Sequence, residues 1–233
     1  IFVLSEVLIF LSGERAAFFF MNLSAIFILL LTKKYKKIRF FTLISSLVLI
    51  VIISNFAPQF KERMFDKTIE QIGINTDQKY FFTPQHDDHY KSAYKMFKDN
   101  VFFGVGPKMF RVECSNPKYQ VSNYSCSTHP HNSYLQIFAE TGIFNFLIFC
   151  SIFLFIVFKS TYHLYSTIFK KKLIFNDFQI AILSSILITV WPLVPSGNFF
   201  NNWISIIYFY PIGIFLWSLR NNFNSNIYNN NDT

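Results

Sequence analysis

Charge is what this chain has least of. Only 15% of its 233 residues are charged, against 52% hydrophobic residues that include 32 phenylalanines, and that scarcity excludes an ordinary water-soluble domain. No internal repeat and no low-complexity linker interrupts the chain, so a repeat array is excluded as well. It has no initiator Met and no recognisable signal peptide. Its first apolar run, 1–11, reads as the end of a helix whose beginning lies upstream, so the chain is expected to be the C-terminal part of a longer protein.

What is present is a series of apolar runs at 16–31, 40–57, 142–158, 178–194 and 203–219. Most fall slightly short of the roughly 20 residues needed to cross a bilayer, so their flanks must contribute. The expectation is an all-α integral membrane protein. It divides into membrane helices at 1–57, a long loop at 58–131, three further membrane helices at 132–219 and a polar, Asn-rich tail at 220–233 that reads as disordered.

Basic residues orient the helices. Lys33, Lys34, Lys36, Lys37 and Arg39 share one connection, Lys159 and Lys170 to Lys172 another, and Arg220 follows the last run. By the positive-inside rule these face the cytoplasm. The turn at 12–15, the loop 58–131 and the segment 195–202 then face outward. The net charge of +8 is thereby a topology signal, and it gives no reason to expect nucleic acid as a partner.

A 74-residue loop is far longer than a connection requires, and loops of that length usually carry function. Within it Phe60, Met64, Ile69 and Ile72 recur near helical spacing. So do Tyr90, Ala93, Tyr94 and Phe97, with Asp87 or Asp88 placed to cap the second set. Cys114 and Cys126 also lie in it. In an oxidising compartment they are expected to pair, at about 3 kcal/mol for a loop of that size; two free thiols, or a zinc set completed by His129 and His131, are the alternatives. Cys150 falls in an apolar run.

The loop ends in a titratable cluster, THPHNSYLQIFAETGIF at 128–144. Pro130 keeps His129 extended, and helical spacing from Asn132 onward lines up Asn132, Gln136 and Glu140 as a polar stripe on an apolar helix. A carboxylate at the membrane edge is costly enough to suggest a function, although Glu140 and Gln136 could instead hold neighbouring loops.

These residues carry a family likeness. The run VFFGVGPKMFR at 101–111, the pattern of His131, Asn132 and Gly142 with nine residues before the glycine, and PLVPSGNFFNN at 192–202 resemble the O-antigen ligase and O-antigen polymerase superfamily of bacterial envelope glycosyltransferases. The turn SGERAAF at 12–18 is similar to that family's arginine turn. The glycines Gly104 and Gly106 are not a nucleotide-binding fingerprint, which needs a strand before and a helix after.

The resemblance implies a multi-helix fold of the third glycosyltransferase type. It implies a glycan donor linked to polyprenyl pyrophosphate, inverting transfer to lipid A-core or to another lipid-linked glycan, and neither a nucleotide sugar nor a required metal or other cofactor. It implies a bacterial inner-membrane location with the long loop in the periplasm. Arg15 would bind pyrophosphate through a planar, permanently charged fork. Arg111 is a second candidate, or an interfacial anchor. His131 would accept or orient the acceptor proton and Asn132 would orient the histidine or the sugar, with His129 and Glu140 in support.

The chain departs from the family pattern at two places. His86 stands where many members carry arginine, in a His86-Asp87-Asp88-His89 run that could alternatively be a divalent-metal site, and Asn145 stands where a small or aromatic residue is expected. Two other functional classes compete with the enzyme reading. A polysaccharide transporter would need ionisable residues along its spans, and a structural membrane partner would leave the clustered Arg and His without a purpose.

Overall fold

A computed structural model describes residues 1–71 and 82–230, with side chains as far as 220. Its elements are α1 (Phe2–Ser12), α2 (Arg15–Leu31), α3 (Lys36–Phe56), α4 (Pro58–Lys61), a π-helical turn Glu62–Asp66, α5 (Lys67–Gln71), α6 (Pro84–Asp99), α7 (Phe110–Glu113), α8 (Ser133–Phe169), α9 (Asp177–Thr189) and α10 (Asn202–Asn230). No strand occurs among the described residues. The fold is all-α, and three helices are long and apolar enough to cross a membrane: Lys36–Phe56, Ser133–Phe169 and Asn202–Arg220.

One apolar run makes a shorter helix than its sequence suggests. α2 has 17 residues and matches its run. α9 has 13 and stops at Thr189, ahead of the irregular stretch that holds Pro192 and Pro195, neither of which can supply an amide to a continuing helix. At 1.5 Å per residue α9 is about 20 Å long, well under the thickness of a bilayer core. The backbone of α10 runs on helically through Pro211 and into the polar tail as far as Asn230.

The main core joins α2, α8, α9 and α10 through Leu31, Phe149, Ile156, Phe175, Leu183, Leu187 and Phe215. Large apolar side chains such as Leu147, Leu154, Phe155 and Phe158 on α8 and Ile206 and Leu216 on α10 point outward, as helices facing lipid rather than water must. A second core joins α1 and α3 to the loop through Phe10, Ile50 and Met64. Beside it, buried Glu6 accepts a hydrogen bond from Ser46 of α3.

The connections rich in lysine lie together. Arg39 pairs with Asp177 at 3.0 Å, and buried His163 joins the same end: its Nδ1 accepts from the amides of Ile174 and Phe175, so Nε2 carries the proton donated to the Leu31 carbonyl at 3.0 Å. His131 precedes the other end of α8. The basic connections and His131 therefore occupy opposite ends of the helix bundle.

In the long loop, α6 begins earlier than its aspartates suggest. Thr83 is the cap, its hydroxyl accepting from the His86 amide at 3.2 Å with Pro84 at the first helical position, where a missing amide costs nothing. Asp87 instead pairs with Lys91 at 2.5 Å, and Asp88 accepts from Ser122 at 2.5 Å. The first amphipathic set is broken into α4, the π-helical turn and α5; Ile72 lies outside the described residues. Cys114 and Cys126 are joined in a disulfide, which removes them as zinc ligands.

Candidate active site

The site grows from a kink. At Gly142 the backbone of α8 takes φ 78° and ψ −172°, a left-handed conformation that only glycine adopts without strain. The kink opens the helix to the 101–106 segment. The Ile143 amide bonds to the Val101 carbonyl at 2.8 Å, while the Val105 and Gly106 amides bond to the Ala139 and Glu140 carbonyls at 2.9 Å. Gly104 completes the seam from the other side, since a Cβ there would fall 2.3 Å from the Glu140 carbonyl carbon. The two glycine motifs of the sequence are thus complementary halves of one backbone joint.

The polar stripe faces protein and is fully used. Glu140, with no solvent exposure, accepts from the Lys108 and Phe110 amides at 2.9 Å each and from Gln136 Nε2 at 3.1 Å. Gln136 also donates to Asn198 Oδ1 at 2.8 Å and accepts from the Phe199 amide at 2.8 Å. Asn132 caps α8 by accepting from the Tyr134 and Leu135 amides, and its Nδ2 donates to the Pro192 carbonyl at 2.9 Å. These three side chains clamp the 104–110 and 192–199 segments onto the start of α8.

That clamp presents His131. Its backbone is left-handed at φ 56°, its carbonyl accepts from the Ser196 amide at 2.9 Å, and its ring lies among three others. Ring centroids are 4.2 Å away for His129, 5.3 Å for His86 and 5.4 Å for His89. His129 is committed on both nitrogens, to Thr128 Oγ1 at 2.9 Å and the Ser196 carbonyl at 3.2 Å; a carbonyl only accepts, so Nε2 carries the proton. Burial first, then repulsion from His131, lowers both His86 and His129 to about 4. Burial and His131 lower His89, and burial lowers His131. All four imidazoles are thereby favoured in the neutral form at neutral pH. Asp87 and Asp88 are engaged by Lys91 and Ser122, and no His, Cys, Asp or Glu group among the described residues forms a metal-ligand set.

Beside the histidines lies a cavity of about 390 Å³, open at one side, whose lining includes Arg15, Arg63, Phe19, Thr83, His86 and Pro195. Arg15 Nη1 donates to Thr68 Oγ1 at 3.0 Å and Gln71 Oε1 at 2.8 Å, two neutral acceptors that fix the guanidinium without neutralising it. His86 is shared: it lines the cavity and its ring meets that of His131. Arg15, His86 and His131 are therefore brought into one place, with His129 behind. Arg111 is exposed on α7 and is not on the cavity lining, although its charge lies close enough to act on His129. The sequence pointed to neither Arg63 nor the Thr68 and Gln71 pair; isolated polar residues in a charged loop carry no periodic signal.

A family model described as O-antigen ligase matches residues 1–150. The match takes in the arginine turn, the long loop and the kinked start of α8, and ends before the 192–199 segment that closes the site. No curated protein and no solved structure matches the chain. A match over well more than half the chain, containing the kinked joint, shows that this protein belongs to the O-antigen ligase family.

Proposed function

We propose that this site transfers a glycan from a polyprenyl pyrophosphate carrier to an acceptor hydroxyl at the periplasmic face of the bacterial inner membrane, most directly in the ligase manner, to lipid A-core or a related glycolipid. The observation that supports this reading is the sharing of His86 between the Arg15 cavity and the His131 cluster. A pyrophosphate held by Arg15 would leave the anomeric carbon of its sugar directed toward His131.

The chemistry then divides between the two sides. The acceptor oxygen bonds to the anomeric carbon from the face opposite the leaving group, inverting it, while the bond from that carbon to the pyrophosphate oxygen breaks. The acceptor proton passes to His131, whose neutral imidazole is the competent form of a general base. Negative charge developing on the departing pyrophosphate is met by Arg15, a fork of fixed charge suited to phosphate oxygens. Asn132 and Glu140 serve by holding the loops that carry these groups. Arg111 contributes positive potential near the histidines, and neutral His86 contributes a hydrogen bond rather than a charge.

The test is complementation by the full-length gene. In a ligase-deficient host it should restore long-chain glycan on lipid A-core, whereas restoration only in a polymerase-deficient host would replace ligation by chain extension of lipid-linked repeats. Restoration in neither host would reject the transferase reading.

A further inference from the structure

The cavity beside the histidines holds a second arginine that the reaction as drawn does not use. Arg63 sits in the π-helical turn Glu62–Asp66, a local irregularity that is frequent at functional sites. Its neighbour Met64 is buried with Phe10 and Ile50, which fixes the register of the turn. The Arg63 side chain lies directly on the bare Cα of Gly13: a Cβ there would fall 2.5 Å from Arg63 Nε and 3.0 Å from Cζ. Gly13 is also the left-handed cap of α1, at φ 71°. The guanidinium of Arg63 is therefore seated on the same turn that carries Arg15, two residues further on.

Among the described residues neither arginine has a carboxylate partner. The ion pairs among the described residues use other cations, and Glu62 is taken by Lys67 at 3.3 Å. The acid on the cavity lining, Glu14, is exposed, and as N-cap of α2 it makes no side-chain capping bond. The α2 N-terminus thus adds the positive end of a helix dipole to the same cavity. Two guanidiniums without an ion-pair partner among the described residues, gathered at the Gly13 turn above an apolar wall of Ala16, Phe19 and Pro195, suit a ligand with two adjacent anionic groups and a hydrocarbon tail.

We propose that Arg63 is a second diphosphate-binding residue, set beside Arg15 so that the two guanidiniums divide the two phosphates of the lipid carrier between them. This rests on the donor reading given above and assigns the second phosphate to a residue outside its machinery.

The experiment uses the full-length protein in nanodiscs, with farnesyl diphosphate and farnesyl monophosphate as probes. The unaltered protein should bind the diphosphate more tightly. Arg63→Gln should weaken diphosphate binding roughly tenfold or more, the value of a lost charge-assisted hydrogen bond, and bring the two affinities close together. Arg63→Met keeps an unbranched arm over Gly13 without the charge and should do the same, with thermal unfolding measured alongside to separate folding from binding. Arg63→Lys should recover only part of the preference, since a point charge lacks the planar fork. If the variants keep the preference for diphosphate, Arg63 is not the second ligand and the donor reading stands. If the unaltered protein binds neither probe, the donor reading itself falls, and this assignment with it.

Discussion

The α-carbon of Gly142 rests against the carbonyl of Phe102, so closely that a Cβ would lie 2.2 Å from the Phe102 oxygen. Gly142→Ala therefore meets two penalties. A left-handed alanine costs about 1–3 kcal/mol, and the 101–106 segment must also retreat from the helix, breaking the amide bonds to Ala139 and Glu140. Thermal unfolding in detergent should show a lowered midpoint for Gly142→Ala and for Gly104→Ala. The double variant should lose less than the sum, because both break one joint. Full additivity would show that the two glycines act independently.

Glu140 braces a loop, and its substitutions should behave accordingly. Replacing it with Gln turns one of two acceptor oxygens into a donor facing a backbone amide, leaving a buried N–H without a partner at a cost of about 1–3 kcal/mol. The expected signature is lower thermal stability and faster proteolysis in the 104–111 segment, with activity declining in proportion to folded protein. Wild-type stability with abolished transfer would instead make Glu140 part of the chemistry.

The disulfide ties α7 to the strand of loop that leads into His129 and His131. Replacing Cys114 and Cys126 with serine should cost about 3 kcal/mol in the chain-entropy model and loosen the approach to the histidine cluster. A reductant should lower the melting midpoint of the native protein and leave the double-serine variant unchanged. Equal response in both would mean that the effect comes from elsewhere.

Much of this was legible in the sequence, for identifiable reasons. The membrane helices announce themselves because lipid demands continuous apolar runs, and the polar stripe Asn132, Gln136, Glu140 was visible because helical spacing preserves faces. The length of α9 was not visible, since an apolar residue looks alike in a helix and in the irregular stretch after it. The start of α6 was misplaced because the aspartates are attractive caps, while Thr83 followed by Pro84 makes a better one. The histidine cluster joins residues 40 positions apart, and Arg63 meets Gly13 across 50; no local pattern encodes such meetings. His131 and Arg15 came from family likeness, and what the structure adds is the shared neighbour His86.

His131 should separate chemistry from folding. Its ring packs against other imidazoles and its backbone is left-handed, so His131→Gly removes the imidazole without straining the turn. Transfer should fall by about 10²–10⁴, the usual contribution of a general base. The protein should remain in the membrane, with lipid-linked precursor accumulating. Surface glycan at the normal level in this variant would end the base assignment.

The histidine cluster also sets a pH response, and its sign follows from the direction of the shifts. His86 and His129 titrate at about 4, and His89 and His131 are also lowered from the ordinary 6.5. The groups that act on them are one another, Arg15 and Arg111, which oppose protonation, and Asp88, which favours it on His89. Below pH 6.5 the unfolded chain takes up protons that the folded cluster refuses, so stability rises with pH in that range. It should be level above 6.5 and fall as pH drops toward about 4. The acid limb of kcat/KM should likewise lie below 6.5, because the free enzyme keeps His131 neutral there. Thermal midpoints recorded from about pH 8 to about pH 4 should show the decline in the native protein and a smaller one in His86→Gln, which removes both a titrating group and a repelling neighbour. An unchanged slope in that variant would show that the acid sensitivity arises outside the cluster.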